Sequence, residues 1–190
     1  MGFVYSVRCN FNRPDLEQAW NDWYNGPKLK QMLAKPMFLS GQRMKASGMN
    51  QRRQYLALWV LESPEAFKTP EYTTDWGFFE WAPYIIDWSR DLYGPIEGDA
   101  TAMFELQPGE ALYLAAFEDL SADEAADIQA RVAEKRPGVT WMRSVGLDQH
   151  SPMLGLMRLR AEEKVPDPLN EPKMQETIFS PISECGRAQS

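Results

Sequence analysis

One order of elements occurs twice along this chain, and it restricts the fold more than any single motif. Residues 3–9 (Phe-Val-Tyr-Ser-Val-Arg-Cys) put Phe3, Tyr5, Val7 and Cys9 on one face, the period-2 pattern of a strand. Leu16, Ala19, Trp20, Trp23 and Tyr24 then recur at helical spacing. Gly26-Pro27 predicts a break, and Leu29, Met32 and Leu33 a second short helix that Pro36 ends. Strands are predicted over 37–45 and 54–61. The second places Tyr55, Ala57, Trp59 and Leu61 on one face and Leu56, Leu58 and Val60 on the other. A polar turn at 47–50 joins them as an antiparallel hairpin. The order begins again with a strand at 111–117. A helix follows from the capping box Ser121-Ala-Asp-Glu124 to about Arg136, then strands at 139–145 and 153–160.

Strand, helix, strand, strand, taken twice, predicts an α+β protein of tandem ferredoxin-like units, antiparallel sheets with helices on one face. The first unit is expected over residues 1–107 and the second, shorter one over 108–162. Residues 163–190 contain Pro166, Pro168, Pro172 and Pro181 with little periodicity, and predict an extended C-terminal arm. Residues 101–106 read as one more strand.

Within the first unit lies Trp-Gly-Phe-Phe-Glu-Trp-Ala-Pro-Tyr-Ile-Ile-Asp-Trp-Ser-Arg-Asp-Leu-Tyr, residues 76–93, with seven of the chain's 23 aromatic side chains. Aromatic rings bury large areas and need cover. Asp75, Glu80, Asp87, Arg90 and Asp91 thread charge through the stretch. The reading is a core helix with a docked irregular segment, which also supplies the wall of a small-molecule pocket.

Composition removes several functions. The formal net charge of −7 argues against nucleic acid and anionic membranes as partners, because both require concentrated positive charge. Arg52-Arg53 is the notable basic pair and reads as a solvated turn. Cys9 and Cys185 form neither a metal nor a redox spacing, so a reducing, cytoplasmic setting is expected. With His150 as the single histidine, no multi-histidine metal site is expected. Walker, dinucleotide and Gly-x-Ser-x-Gly motifs are absent from the sequence.

The run Trp23-Tyr24…Leu33-Ala-Lys-Pro36-Met-Phe38, then Arg43, then Tyr55-Leu-Ala-Leu-Trp59-Val-Leu-Glu-Ser-Pro64-Glu, resembles the EthD-like branch of the dimeric α+β barrel superfamily. Trp81-Ala-Pro-Tyr-Ile-Ile-Asp-Trp88 is similar to an aromatic segment of some members, and the resemblance covers roughly residues 3–95. It implies a ferredoxin-like unit and dimers formed through sheet faces. It also implies a range of chemistry: cofactor-free monooxygenases, isomerases, lyases, cyclases, decarboxylases and haem enzymes. Many relatives carry a histidine shortly after the tryptophan-tyrosine pair, and Lys28 stands at that place here. Haem ligation would rest on His150 alone.

Candidate catalytic residues are Arg43, Tyr24 and His150. A mid-strand arginine can hold a carboxylate by paired hydrogen bonds, a buried phenol can donate a proton, and a histidine titrates near neutrality. Candidate substrate-binding residues are Tyr55, Trp59, Trp76, Trp81 and Tyr84. These residues lead to a lyase with no cofactor, of decarboxylating or eliminating type, acting on a small aromatic or apolar acid. A cofactor-free monooxygenase using the same pocket is the alternative, and a non-catalytic binding or assembly protein the third reading. A homodimer is compatible with each.

Overall fold

The computed structural model describes residues 2–48 and 52–189. Nine strands form one antiparallel sheet: β1 (Gly2–Phe11), β2 (Phe38–Ala46), β3 (Tyr55–Leu61), β4 (Ile85–Ile96), β5 (Ala111–Ala116), β6 (Thr140–Leu147), β7 (Met153–Leu159), β8 (Gln175–Pro181) and β9 (Gly186–Arg187). Their order is β3-β1-β4-β6-β7-β5-β8-β2-β9, and β2 also pairs with β3. That last pairing closes eight strands into a barrel, with β9 as a short extension beside β2. Closure removes the open edges that an eight-stranded sheet would expose.

Side chains alternate between the barrel interior and its outer surface. Val4, Leu56, Leu58, Val60, Leu112, Leu114, Leu154 and Leu156 fill the inside. On the outside, Tyr5, Val7, Cys9, Tyr55, Ala57, Trp59 and Leu61 pack beneath the helices of the first half. Every residue of β3 is buried, since one face meets the barrel core and the other the helical layer. Tyr113, Ala115 and Phe117 do the same for the second half against Ala125, Ile128 and Val132 of its helix.

The helices are α1 (Glu17–Trp23), α2 (Leu29–Leu33), α3 (Pro70–Thr73), α4 (Ala100–Phe104) and α5 (Ala122–Ala133). Ser63, Thr69 and Ser121 each accept a backbone N–H at the start of a helical segment, and Ser121 with Glu124 completes the expected capping box.

Five expectations are corrected. Gly26-Pro27 does not split the first helical region: residues Tyr24–Lys28 form a π-helical turn that joins α1 to α2. Pro27 has no N–H to bond four residues back, and the wider turn absorbs that loss. Residues 85–96 are not helix but β4, paired with both β1 and β6. Residues 100–104 are helix rather than strand, capped by Asp99. The expected arm contains β8, which sits between β5 and β2 and seals the barrel. Arg52-Arg53 is not a solvated pair: Arg53 is buried and both arginines donate to Glu118. Of the turn expected at 47–50, Met49 and Asn50 lie outside the described residues.

Candidate functional site

A cavity lies between the outer face of the first-half sheet and the helical run above it. Tyr5, Val7 and Trp59 form its floor, Tyr24, Lys28 and Met32 one side, and Tyr72, Trp76, Gly77, Phe78 and Trp88 the rest. The room it leaves for a water-sized group is about 30 Å³, so it is a narrow cleft rather than a preformed ligand-sized cavity. Trp76 is 40% exposed and marks the mouth.

The π-helical turn brings Tyr24 and Lys28 to this wall, both buried. Lys28 is the one cation among the lining side chains. Its Nζ donates to Gln31 Oε1 at 2.9 Å, and Gln31 Nε2 donates to Asp75 Oδ2 at 2.7 Å. Asp75 also lies 3.7 Å from Lys35 Nζ, so its charge is shared away from Lys28. The ammonium sits 4.9 Å from the Phe79 ring centroid. Burial, aided by the charge of Lys35 and opposed by Asp75, lowers the Lys28 pKa to about 8. A large fraction of this amine is therefore neutral in mildly alkaline solution.

The other polar atoms at the cavity are donors held in aromatic surroundings. Burial pushes the Tyr24 and Tyr5 phenols well above their ordinary range, so both stay protonated. Tyr5 and Tyr72 place their hydroxyls 3.4 Å apart. The indole nitrogens of Trp59 and Trp88 are buried without an acceptor. The Cε3 and Cζ3 atoms of Trp59 cover Gly41 of β2. At the mouth, Arg90 stacks 4.5 Å from the Trp76 ring centroid and pairs with Asp148 at 3.3 Å.

Of the residues expected from sequence, Tyr24, Trp59 and Trp76 line this cavity. Arg43 does not. It is 1% exposed beneath α1, its Nη1 donates to Asn21 Oδ1 and Asn25 Oδ1 at 2.9 Å each, and its guanidinium stacks 4.2 Å from the Tyr24 ring centroid. Tyr55 hydrogen-bonds Glu17 and Asn21 on the far side of that arginine. Trp81 and Tyr84 pack around Phe11, away from the lining. His150 occupies the β6–β7 turn with its side chain 44% exposed, its Nδ1 3.9 Å from Asp91 Oδ1. That ring does not fit an axial ligand to haem in the aromatic cavity, which it does not line. Sequence reasoning passed over Lys28, Tyr72 and Trp88 as site residues. Lys28 left a signal as the departure from the histidine of the resemblance, and Trp88 as part of the aromatic stretch read as a pocket wall.

No protein-family model matches the sequence, and no curated protein matches it significantly. Solved structures do. An anthrone oxidase-like protein superposes over 100% of this chain and 94% of its own at 10% identity, TM-score 0.60. A candidate monooxygenase from Fusobacterium nucleatum does so over 99% and 95% at 10% identity, TM-score 0.52. A chlorite dismutase from Candidatus Nitrospira defluvii does so over 95% and 91% at 9% identity, TM-score 0.51. These likenesses show the fold alone, an antiparallel α+β barrel. No helix is long and apolar enough to cross a membrane among the described residues.

Proposed function

We propose that this chain is a cofactor-independent enzyme that oxygenates an electron-rich, oxygen-bearing aromatic compound in the first-half cavity. The observation that carries the reading is Lys28, a partly neutral amine facing a water-sized slot with aromatic walls. The neighbours described as an anthrone oxidase-like protein and a monooxygenase favour oxygen chemistry over the lyase expected from sequence. The lyase also loses its anchor, because Arg43 is engaged by two asparagines outside the cavity lining.

The steps use the chain's own groups. Neutral Lys28 removes a proton from an activated carbon or hydroxyl of the substrate. The resulting anion, held against apolar walls, gives one electron to dioxygen, and the two radicals combine into a carbon–oxygen bond. The peroxide takes back a proton from the Lys28 ammonium. Loss of water then leaves a carbonyl, so a methylene and dioxygen become a ketone and water. The Trp59 Nε1–H and the Tyr24 hydroxyl are the donors available to the developing oxyanion. Oxygen uptake with anthrone and with hydroxynaphthalenes, above the spontaneous rate, tests this. Uptake should rise with pH through about 8 and vanish in Lys28→Met. Equal uptake by the variant would remove the proposal.

Finer features belong to the same reading. The strand orders β4-β1-β3-β2 and β8-β5-β7-β6 match, which supports tandem ferredoxin-like units over 1–107 and from 108 onward. Residues 23–65 support placement near the EthD-like branch. The barrel closes within one chain, so the proposed reaction needs no second copy.

A further inference from the structure

We infer that Lys28 is a carbonyl-capture site, whose amine condenses with a small aromatic aldehyde or ketone seated in the first-half cavity. This goes beyond the oxygenase reading and stands without it, since capture consumes no oxygen.

Four observations point the same way. Lys28 is buried, yet among the described residues no carboxylate pairs with it; Asp75 is held by Gln31 and Lys35. A desolvated lysine beside another cation is the environment that makes this amine a nucleophile at ordinary pH. The cavity then offers two donors for a carbonyl oxygen. Trp59 lines the cavity, and its Nε1 is buried with no acceptor. Tyr24 stands four residues before Lys28 on the same wall, a phenol kept protonated by burial. The dimensions fit as well: about 30 Å³ of room accepts a carbonyl group, while a ring would rest outside it against Trp76, which is 40% exposed. Finally, most of the lining side chains are aromatic or apolar, a poor setting for the water that would hydrolyse an imine.

The chemistry balances within the site. The amine lone pair attacks the carbonyl carbon, and the carbon–oxygen π electrons move to oxygen. A proton passes from nitrogen to that oxygen. Tyr24 gives a second proton, the hydroxyl leaves as water, and the remaining N–H proton returns to the phenolate. The products are an imine on Nζ and one water.

The test is reductive trapping of the full chain without oxygen. The protein is incubated with benzaldehyde and cyanoborohydride at pH 8, and the benzylated peptides are mapped by mass spectrometry. With a pKa of about 8, Lys28 holds on the order of a hundredfold more neutral amine than a surface lysine. It should label first, ahead of Lys30, Lys45 and Lys68. Tyr24→Phe should slow labelling by about tenfold or more while the unfolding midpoint holds. Lys28→Arg should abolish the fast phase. Labelling of the exposed lysines at the rate of Lys28, or a fast phase that survives Lys28→Arg, would overturn the assignment. Trapping at Lys28 with no oxygen uptake would uphold capture and sink the oxygenase alone.

Discussion

The benzene edge of Trp59 lies directly on Gly41 of the neighbouring strand, where a Cβ would stand 2.2 Å from Cε3. Only glycine leaves space for the ring there, and the same ring lines the cavity. The second half repeats the device with the strands exchanged: Trp141 of β6 covers Gly155 of β7, its cross-strand partner. Gly41→Ala should destabilise the protein by about 1–3 kcal/mol through overpacking and weaken ligand binding. Gly155→Ala should cost a similar amount and leave binding unchanged. Urea unfolding beside a binding isotherm separates the two. Equal binding losses would mean that the Trp59 orientation is not what matters.

Lys28 carries a stability penalty that pH relieves. Its folded-state pKa, about 8, lies below the unfolded value near 10.5. Below pH 8 both states are protonated and the full cost of burying the charge is present. Between about 8 and 10.5 the unfolded chain binds more protons, so stability rises with pH. Lys28→Met should therefore be more stable than the parent at pH 7, by about 3 kcal/mol at most, with an advantage that shrinks by pH 9.5. Paired denaturation curves at the two pH values measure it. A gap independent of pH would show that the charge is not the cause.

Arg43 is expected to hold structure rather than substrate. Its guanidinium joins Asn21 and Asn25 and stacks on Trp20 and Tyr24, with Nη2 left without a partner. Lysine cannot reproduce the planar fork. Arg43→Lys should lower stability by roughly 2 kcal/mol and change KM by no more than about threefold. A hundredfold rise in KM at unchanged stability would restore it as a substrate ligand. His150→Ala, at a half-exposed turn, should change neither quantity appreciably.

Glu118 ties the two halves together. Arg8 reaches it at 2.8 Å, and Arg52 and Arg53 also donate to it. Arg8 and Arg53 are themselves buried, so they depend on this carboxylate. Glu118→Gln should cost on the order of 3 kcal/mol or more, because it strands buried positive charge. A shift in the urea midpoint below what ~1 kcal/mol produces would show that Asp87 and Asp91 suffice.

Much of the fold was legible. The alternation of β3 and the caps at Ser63, Thr69 and Ser121 are local signals, and local geometry honours them. β4 was not legible, because its pairing with β1 shifts register twice and breaks the alternation that marks a strand. β8 reads as part of a proline-containing extended arm, since its strand conformation comes from lying between β5 and β2. At the site, Tyr24, Trp59 and Trp76 were found as aromatics in structured segments. Arg43 was read as a mid-strand charge in need of a partner, but its partners Asn21 and Asn25, one helical turn apart and 22 and 18 residues earlier in the chain, cannot be assigned to it from spacing alone.

The sequence by itself determined which segments alternate, which turn, and how many large apolar side chains must be covered. Those properties depend on neighbours within a few residues. The tertiary structure decided which strand closes the barrel, where the Trp59 ring packs, and how strongly Lys28 is desolvated. Each of these depends on atoms contributed by distant segments: Gly41 for Trp59, Asp75 and Lys35 for Lys28, β5 and β2 for β8. The chemistry of a buried amine belongs to that second set, because its proton affinity is a property of its surroundings.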